Sequence, residues 1–122
     1  MRRRNAGLRP LEREIQQAVL DHWILLGLPN TLVAAIPNQN AHGQPGLTKG
    51  LADLLVIGPD IPGEGSAGFV ELKRGMTSVR TPAQWEFARL CEALKIPYAV
   101  CFGRDDPIRL LESWGIVRRA AA

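Results

Sequence analysis

Apolar and polar residues alternate along this chain with two periods. Leu11, Ile15, Ala18, Val19, His22, Leu25 and Leu26 return at helical spacing. They predict an amphipathic helix that takes Pro10 in its first turn and ends at Gly27, with Pro29 beyond. Short apolar runs then predict four strands: Thr31 to Ile36, stopped by Pro37; Ala52 to Ile57; Gly68 to Lys73; and Ile96 to Phe102, stopped by Gly103. Between the second and third strands, GPDIPGEGSAG holds two prolines and four glycines, the composition of an exposed hairpin-like tip. Thr81-Pro82-Ala83-Gln84 has the form of a capping box, with threonine as N-cap, proline in the first turn and glutamine at the third helical position. It opens a second helix that buries Phe87, Ala88, Cys91 and Leu94, flanked by Trp85 and Leu90. A last short helix runs from Asp105 or Asp106 through Trp114, with Ile108, Leu111 and Trp114 inward. The order α-β-β-β-α-β-α predicts a small α/β domain with helices packed on a mixed sheet.

A chain of 122 residues suits one domain, expected over residues 10–117, with a flexible basic arm at 1–9 and a basic, alanine-rich tail at 118–122. Hydrophobic residues make up 46% and charged residues 22%, the balance of a water-soluble protein. No uninterrupted apolar run reaches membrane length, and an acidic, amphipathic segment follows Met1–Arg4 in place of a signal peptide's apolar core. A cytoplasmic location, with no membrane partner, is the expectation. Cys91 and Cys101 lack metal-ligand spacing and are expected as buried free thiols. The net charge is only +3, but Arg2, Arg3, Arg4, Arg9 and Arg13 crowd the start, and no acidic residue lies between Asp21 and Asp53. Such an arm can hold phosphates or simply solubilise a terminus.

Asp53, Glu71 and Lys73 change the picture. They stand on neighbouring apolar strands, where burying charge without a partner is costly. Glu71 and Lys73 share a strand face because side chains alternate. A divalent metal resolves the cost: Asp53 and Glu71 supply carboxylates, and the Leu72 backbone carbonyl supplies a third oxygen for a hard cation such as Mg²⁺. Lys73 can then orient the attacking water or offset charge growing on a phosphate. A plain Glu71–Lys73 surface pair is the rival reading, and it leaves Asp53 unexplained. On the first helix, Glu12 lies about 60° from the centre of the apolar stripe and Glu14 about 100° away, so Glu12 is the better candidate to face a site, with Glu14 as the fallback. Either is also a favourable first-turn charge. Gln84 has a cap role to compete with any site role. His22 is expected as a satisfied core histidine, and His42 as a solvated loop residue. Lys49, just ahead of the Asp53 strand, is placed for a phosphate.

These residues resemble the PD-(D/E)xK nuclease core, with Asp53 eighteen positions ahead of Glu71-Leu72-Lys73. The wider pattern is similar to its VRR-NUC branch, the virus-type replication-repair nucleases. It is carried by Glu12 ahead of Ile15-Gln16, Ile36-Pro37-Asn38, Lys49-Gly50-x-Ala52-Asp53-Leu54, Glu71-Leu72-Lys73, Gln84 and Val100-Cys101-Phe102-Gly103. The resemblance runs from about Leu11 to Leu111. Where that family usually has Pro-Asp, this chain has Ala52-Asp53, a change of backbone shape and not of chemistry. The resemblance implies a restriction-endonuclease-like core and Mg²⁺- or Mn²⁺-dependent cleavage of DNA phosphodiesters. Asp53 and Glu71 would be metal ligands, Lys73 the catalytic lysine, and Gln84 and Glu12 auxiliary residues. Lys49, Arg74, Arg80 and Asn38 are the candidate nucleic-acid contacts. It further implies a homodimer acting on branched DNA, a Holliday junction or flap, in phage or bacterial replication, recombination or repair. A catalytically silent DNA-binding module of the same fold, and a hydrolase acting on RNA or nucleotides, stand as alternatives.

Overall fold

The computed structural model describes residues 11–37 and 48–120. The basic arm, Asn38 and His42 lie outside the described residues. The elements are α1 (Glu12–Leu26), β1 (Leu32–Ala35), β2 (Leu54–Ile57), β3 (Ala67–Lys73), α2 (Pro82–Ala93), β4 (Tyr98–Phe102) and α3 (Asp105–Ser113), in the order the sequence predicts. The sheet runs β1-β2-β3-β4. The first three strands are antiparallel neighbours, and β4 lies parallel to β3. A parallel pair needs a crossover, and α2 provides it.

The two faces of the sheet are dressed differently. Leu54, Val56, Val70, Leu72 and Cys101 point to one face and pack with Ile15 and Val19 of α1 and with Leu111 and Trp114 from α3 and its end. The opposite face carries Phe69, Glu71 and Lys73 and receives α2, whose Phe87 meets Phe69 and Tyr98 edge-on at 5.0 and 5.8 Å. Charged residues therefore share a face with aromatic ones, beneath a helix. Gly50 (φ +86) brings the chain ahead of Asp53 against α2: a Cβ there would stand 2.6 Å from Ala83. Only glycine fits both that conformation and that approach.

Several boundaries and faces differ from expectation. β2 begins at Leu54 and not Ala52, although Asp53 still donates to the Val70 carbonyl and accepts from Ile36. β4 starts at Tyr98 because Ile96 N–H instead closes the end of α2 on the Cys91 carbonyl. In α1 the buried line is Ile15 and Val19, with Trp23 and Leu26 packed beside them, while Ala18 is exposed and Leu25 is 79% exposed. The helix is rolled towards its Glu12–Trp23 flank, anchored where Trp23 Nε1 donates to Thr31 Oγ1 at 3.0 Å. His22 Nε2 is buried without a hydrogen-bond partner among the described residues, so this histidine is not satisfied as expected. In α2 only Cys91 is fully buried. Leu94 is the C-cap and faces solvent, as do much of Trp85 and Leu90. Both cysteines are buried free thiols, and burial with Asp106 nearby pushes Cys101 up to about 12. No described helix is long and apolar enough to cross a membrane.

Candidate active site

The site forms where the β2–β3 ladder stops. In β3, Phe69 N–H donates to Pro97 and the Lys73 carbonyl accepts from Gly103, so the odd-numbered residues turn their backbone towards β4. The Val70 carbonyl accepts from Asp53 N–H, so the even-numbered residues face β2. Leu72 is thus aimed at β2 just beyond the last strand pair, Leu54 with Val70. Its N–H finds a side chain there and donates to Asp53 Oδ2 at 2.6 Å. In extended backbone a residue's N–H and C=O leave on the same side, so the Leu72 carbonyl is also directed to the Asp53 edge. Asp53, Glu71 and the Leu72 carbonyl are brought together.

Glu71 is 0% exposed, a buried carboxylate that requires partners. Its Oε1 accepts from the Tyr98 hydroxyl and from Arg80 Nε at 3.3 Å, with Arg80 Nη2 also 3.3 Å away. Arg80 Nη2 donates in turn to the Tyr98 oxygen at 3.1 Å. Burial, then the hydrogen bond and charge of Glu71, push the Tyr98 hydroxyl well above its usual range, so it stays a donor. Glu71 Oε2 lies 3.4 Å from Lys73 Nζ and is buried without a hydrogen bond. Arg80 is held from the far side by Trp85, whose ring centroid is 4.0 Å from its guanidinium carbon. These two flank the Thr81 cap at the positions where a hydrophobic staple would sit, so a cation–π contact takes the staple's place.

Lys73, 5% exposed, donates from Nζ to the Val79 carbonyl and to Gln84 Oε1, both at 3.1 Å. Gln84 Oε1 also accepts Thr81 N–H at 2.9 Å, and Gln84 N–H returns the bond to Thr81 Oγ1 at 3.1 Å. One carboxamide oxygen therefore caps α2 and holds Lys73. Asp53 is raised from 3.8 to about 6, chiefly by burial, with the charges of Glu12 and Glu71 adding; the Leu72 N–H and Lys73 oppose the shift. Glu12, half-buried, is thus the α1 carboxylate whose field reaches Asp53. Glu14 is exposed, and its Oε1 accepts Leu11 N–H at 3.0 Å.

The candidate nucleic-acid contacts separate. Lys49 is exposed, Arg74 is half-buried, and Asn38 lies outside the described residues. Arg80 is turned inward and committed to Glu71 and Tyr98, a role its position in a polar connection did not suggest. Tyr98 carries no local signal of such a role in the sequence. Once β4 is paired parallel to β3, with Phe69 opposite Tyr98 and Glu71 opposite Val100, alternation puts Tyr98 on the Glu71 face. Among the described residues no cluster of three or more His, Cys, Asp or Glu could hold a metal. Asp53 and Glu71 bring carboxylates to this place, and Leu72 a backbone carbonyl.

No family model and no curated protein matches the sequence. Solved structures do match. One described as "VRR_NUC domain" aligns with a TM-score of 0.59 at 23% identity, over 83% of this chain and 94% of its own. Another, "VRR_NUC domain protein", aligns with a TM-score of 0.70 at 19% identity, over 88% of this chain and 89% of its own.

Proposed function

We propose that this chain, which has the restriction-endonuclease-like fold of VRR_NUC domains, is a divalent-metal-dependent DNA endonuclease. The observation that carries the reading is Glu71 Oε2: a fully buried carboxylate oxygen with no hydrogen bond, on the face shared with Lys73 and across from Asp53. The residues fit a hard cation. Burial first, and then the charges of Glu12 and Glu71, disfavour the ionised Asp53 carboxylate, and a dication would relieve that cost. Asp53, Glu71 and the Leu72 carbonyl would hold Mg²⁺ or Mn²⁺, with water completing the shell. A divalent ion held there would supply Lewis acidity, lowering the pKa of water and offsetting charge on the phosphate.

The chain's own groups do the rest. Leu72 N–H fixes the Asp53 carboxylate, and Arg80 with Tyr98 occupies Glu71 Oε1, leaving Oε2 to face the site. Gln84 and Val79 hold the Lys73 ammonium beside that oxygen, from where it can donate to a phosphate oxygen or orient the attacking water. Glu12 adds negative potential that favours a cation. Lys49, exposed ahead of Asp53, is a phosphate contact in this reading. Branched DNA as the substrate and a homodimer as the working unit belong to the same proposal.

The test is incubation of the purified protein with linear, flapped and four-way-junction DNA plus Mg²⁺ or Mn²⁺. Salt-sensitive binding without cleavage under either metal would make the chain a binding module instead.

A further inference from the structure

A cavity of about 590 Å³ lies between α2 and the edge strand β4. Trp85, Arg89 and Glu92 line it from one side of the helix, and Tyr98 and Val100 from alternate positions of the strand. Arg80 lines it too and joins it to the site, since Arg80 and Tyr98 both bond Glu71 Oε1. Trp85 is 52% exposed, an unusual position for the largest apolar side chain.

The charges in this groove nearly cancel. Arg80 is spent on Glu71, Arg89 stands 3.9 Å from Glu86, and Glu92 brings its own carboxylate. A groove meant for phosphates would carry a clear positive excess. A near-neutral groove with an exposed indole, a guanidinium stacked on it and a carboxylate acceptor suits an uncharged, flat, amino-bearing ring. We infer that the α2–β4 groove binds an unpaired nucleobase of the DNA substrate, with Trp85 as its stacking platform. This rests on the nuclease reading above and deepens it: a base reaches the groove only out of the duplex stack, so the substrate carries an unpaired nucleotide beside the scissile phosphate.

Fluorescence anisotropy tests this, with Ca²⁺ replacing Mg²⁺ so that the strand stays uncut. The probes are a blunt duplex and the same duplex carrying a short oligo-dC tail, whose bases bear the amino group that the groove's carboxylate would accept. The wild-type protein prefers the tailed duplex. Trp85→Ala lowers affinity for it by about five- to a hundredfold, the worth of one base stack, and Trp85→Phe keeps most of the preference. Because Trp85 is half-exposed, circular dichroism of Trp85→Ala matches the wild type. An unchanged ratio of tailed to blunt affinity in Trp85→Ala overturns the inference. So does a dimer in sedimentation that Trp85→Ala dissociates, which would make the groove a contact between copies of the chain. Equal binding of both duplexes by a protein that cleaves DNA defeats this inference alone. Neither binding nor cleavage of any DNA defeats the nuclease reading on which it rests.

Discussion

Lys73 Nζ lies 3.1 Å from the Gln84 side-chain oxygen, the same oxygen that accepts the Thr81 N–H and caps α2. The start of a helix and the placement of the candidate catalytic ammonium thus depend on one atom. Thr81→Ala removes a cap contact and spares the Lys73 contact; Gln84→Ala removes both. Thr81→Ala should cost about 1 kcal/mol of stability, and Gln84→Ala, which also takes a partner from the buried Lys73 ammonium, about 2–3 kcal/mol, both read from the melting temperature. Only Gln84→Ala should also slow DNA cleavage. Equal rates for the two variants would contradict a positioning role for Gln84.

Arg80 and Tyr98 are expected to matter more to stability than surface polar residues do. Arg80→Ala strips a fully buried carboxylate of its closest cation and should cost about 3–5 kcal/mol in urea unfolding. Tyr98→Phe removes two hydrogen bonds with charged groups, one donated to Glu71 and one accepted from Arg80, a loss of about 3 kcal/mol. Arg80→Ala costing less than about 1 kcal/mol would mean that Arg80 behaves as an ordinary surface pair.

Asp53 makes stability depend on pH in the sense opposite to a salt-bridged carboxylate. Its folded-state value, about 6, lies above its ordinary value of 3.8, so the folded chain binds the proton more tightly than the unfolded chain. The resulting stabilisation is complete below about pH 4 and lost as pH rises through about 6. Asp53→Asn should therefore stabilise the metal-free protein at pH 7–8, by about 1–2 kcal/mol after discounting for partial exposure. Melting curves in EDTA across pH 4–8 check this. An unchanged pH slope in Asp53→Asn would contradict it. Mn²⁺ binding should weaken below about pH 6, because the proton competes with the ion.

Much of this arrangement was legible in the residues. The capping box, the strand runs and the proline and glycine stops act locally, so the order of elements followed from them. That Asp53, Glu71 and Lys73 need partners was legible because charge in apolar segments needs a cause. The roll of α1 was not, since Ala18 and Leu25 extend an apolar stripe that looks as good on either flank. The Trp23–Thr31 contact, made between elements, decides the flank. Leu25→Glu should accordingly change stability by no more than about 0.5 kcal/mol. Ile15→Ala should cost about 2–5 kcal/mol, and chemical denaturation of the pair compares them. Tyr98 and the inward turn of Arg80 were hidden for a related reason: both depend on β4 lying beside β3, a pairing made across the whole of α2.

In the proposed function, Asp53, Glu71 and Lys73 form a metal-dependent phosphodiester-cleaving centre. The most direct measurement is the rate of DNA cleavage in Mg²⁺ or Mn²⁺ by the wild-type protein and by Lys73→Ala, each with and without EDTA. The wild type should cleave, cleavage should vanish in EDTA, and Lys73→Ala should lose about a hundredfold or more. Cleavage that survives EDTA, or that Lys73→Ala leaves undiminished, would contradict it.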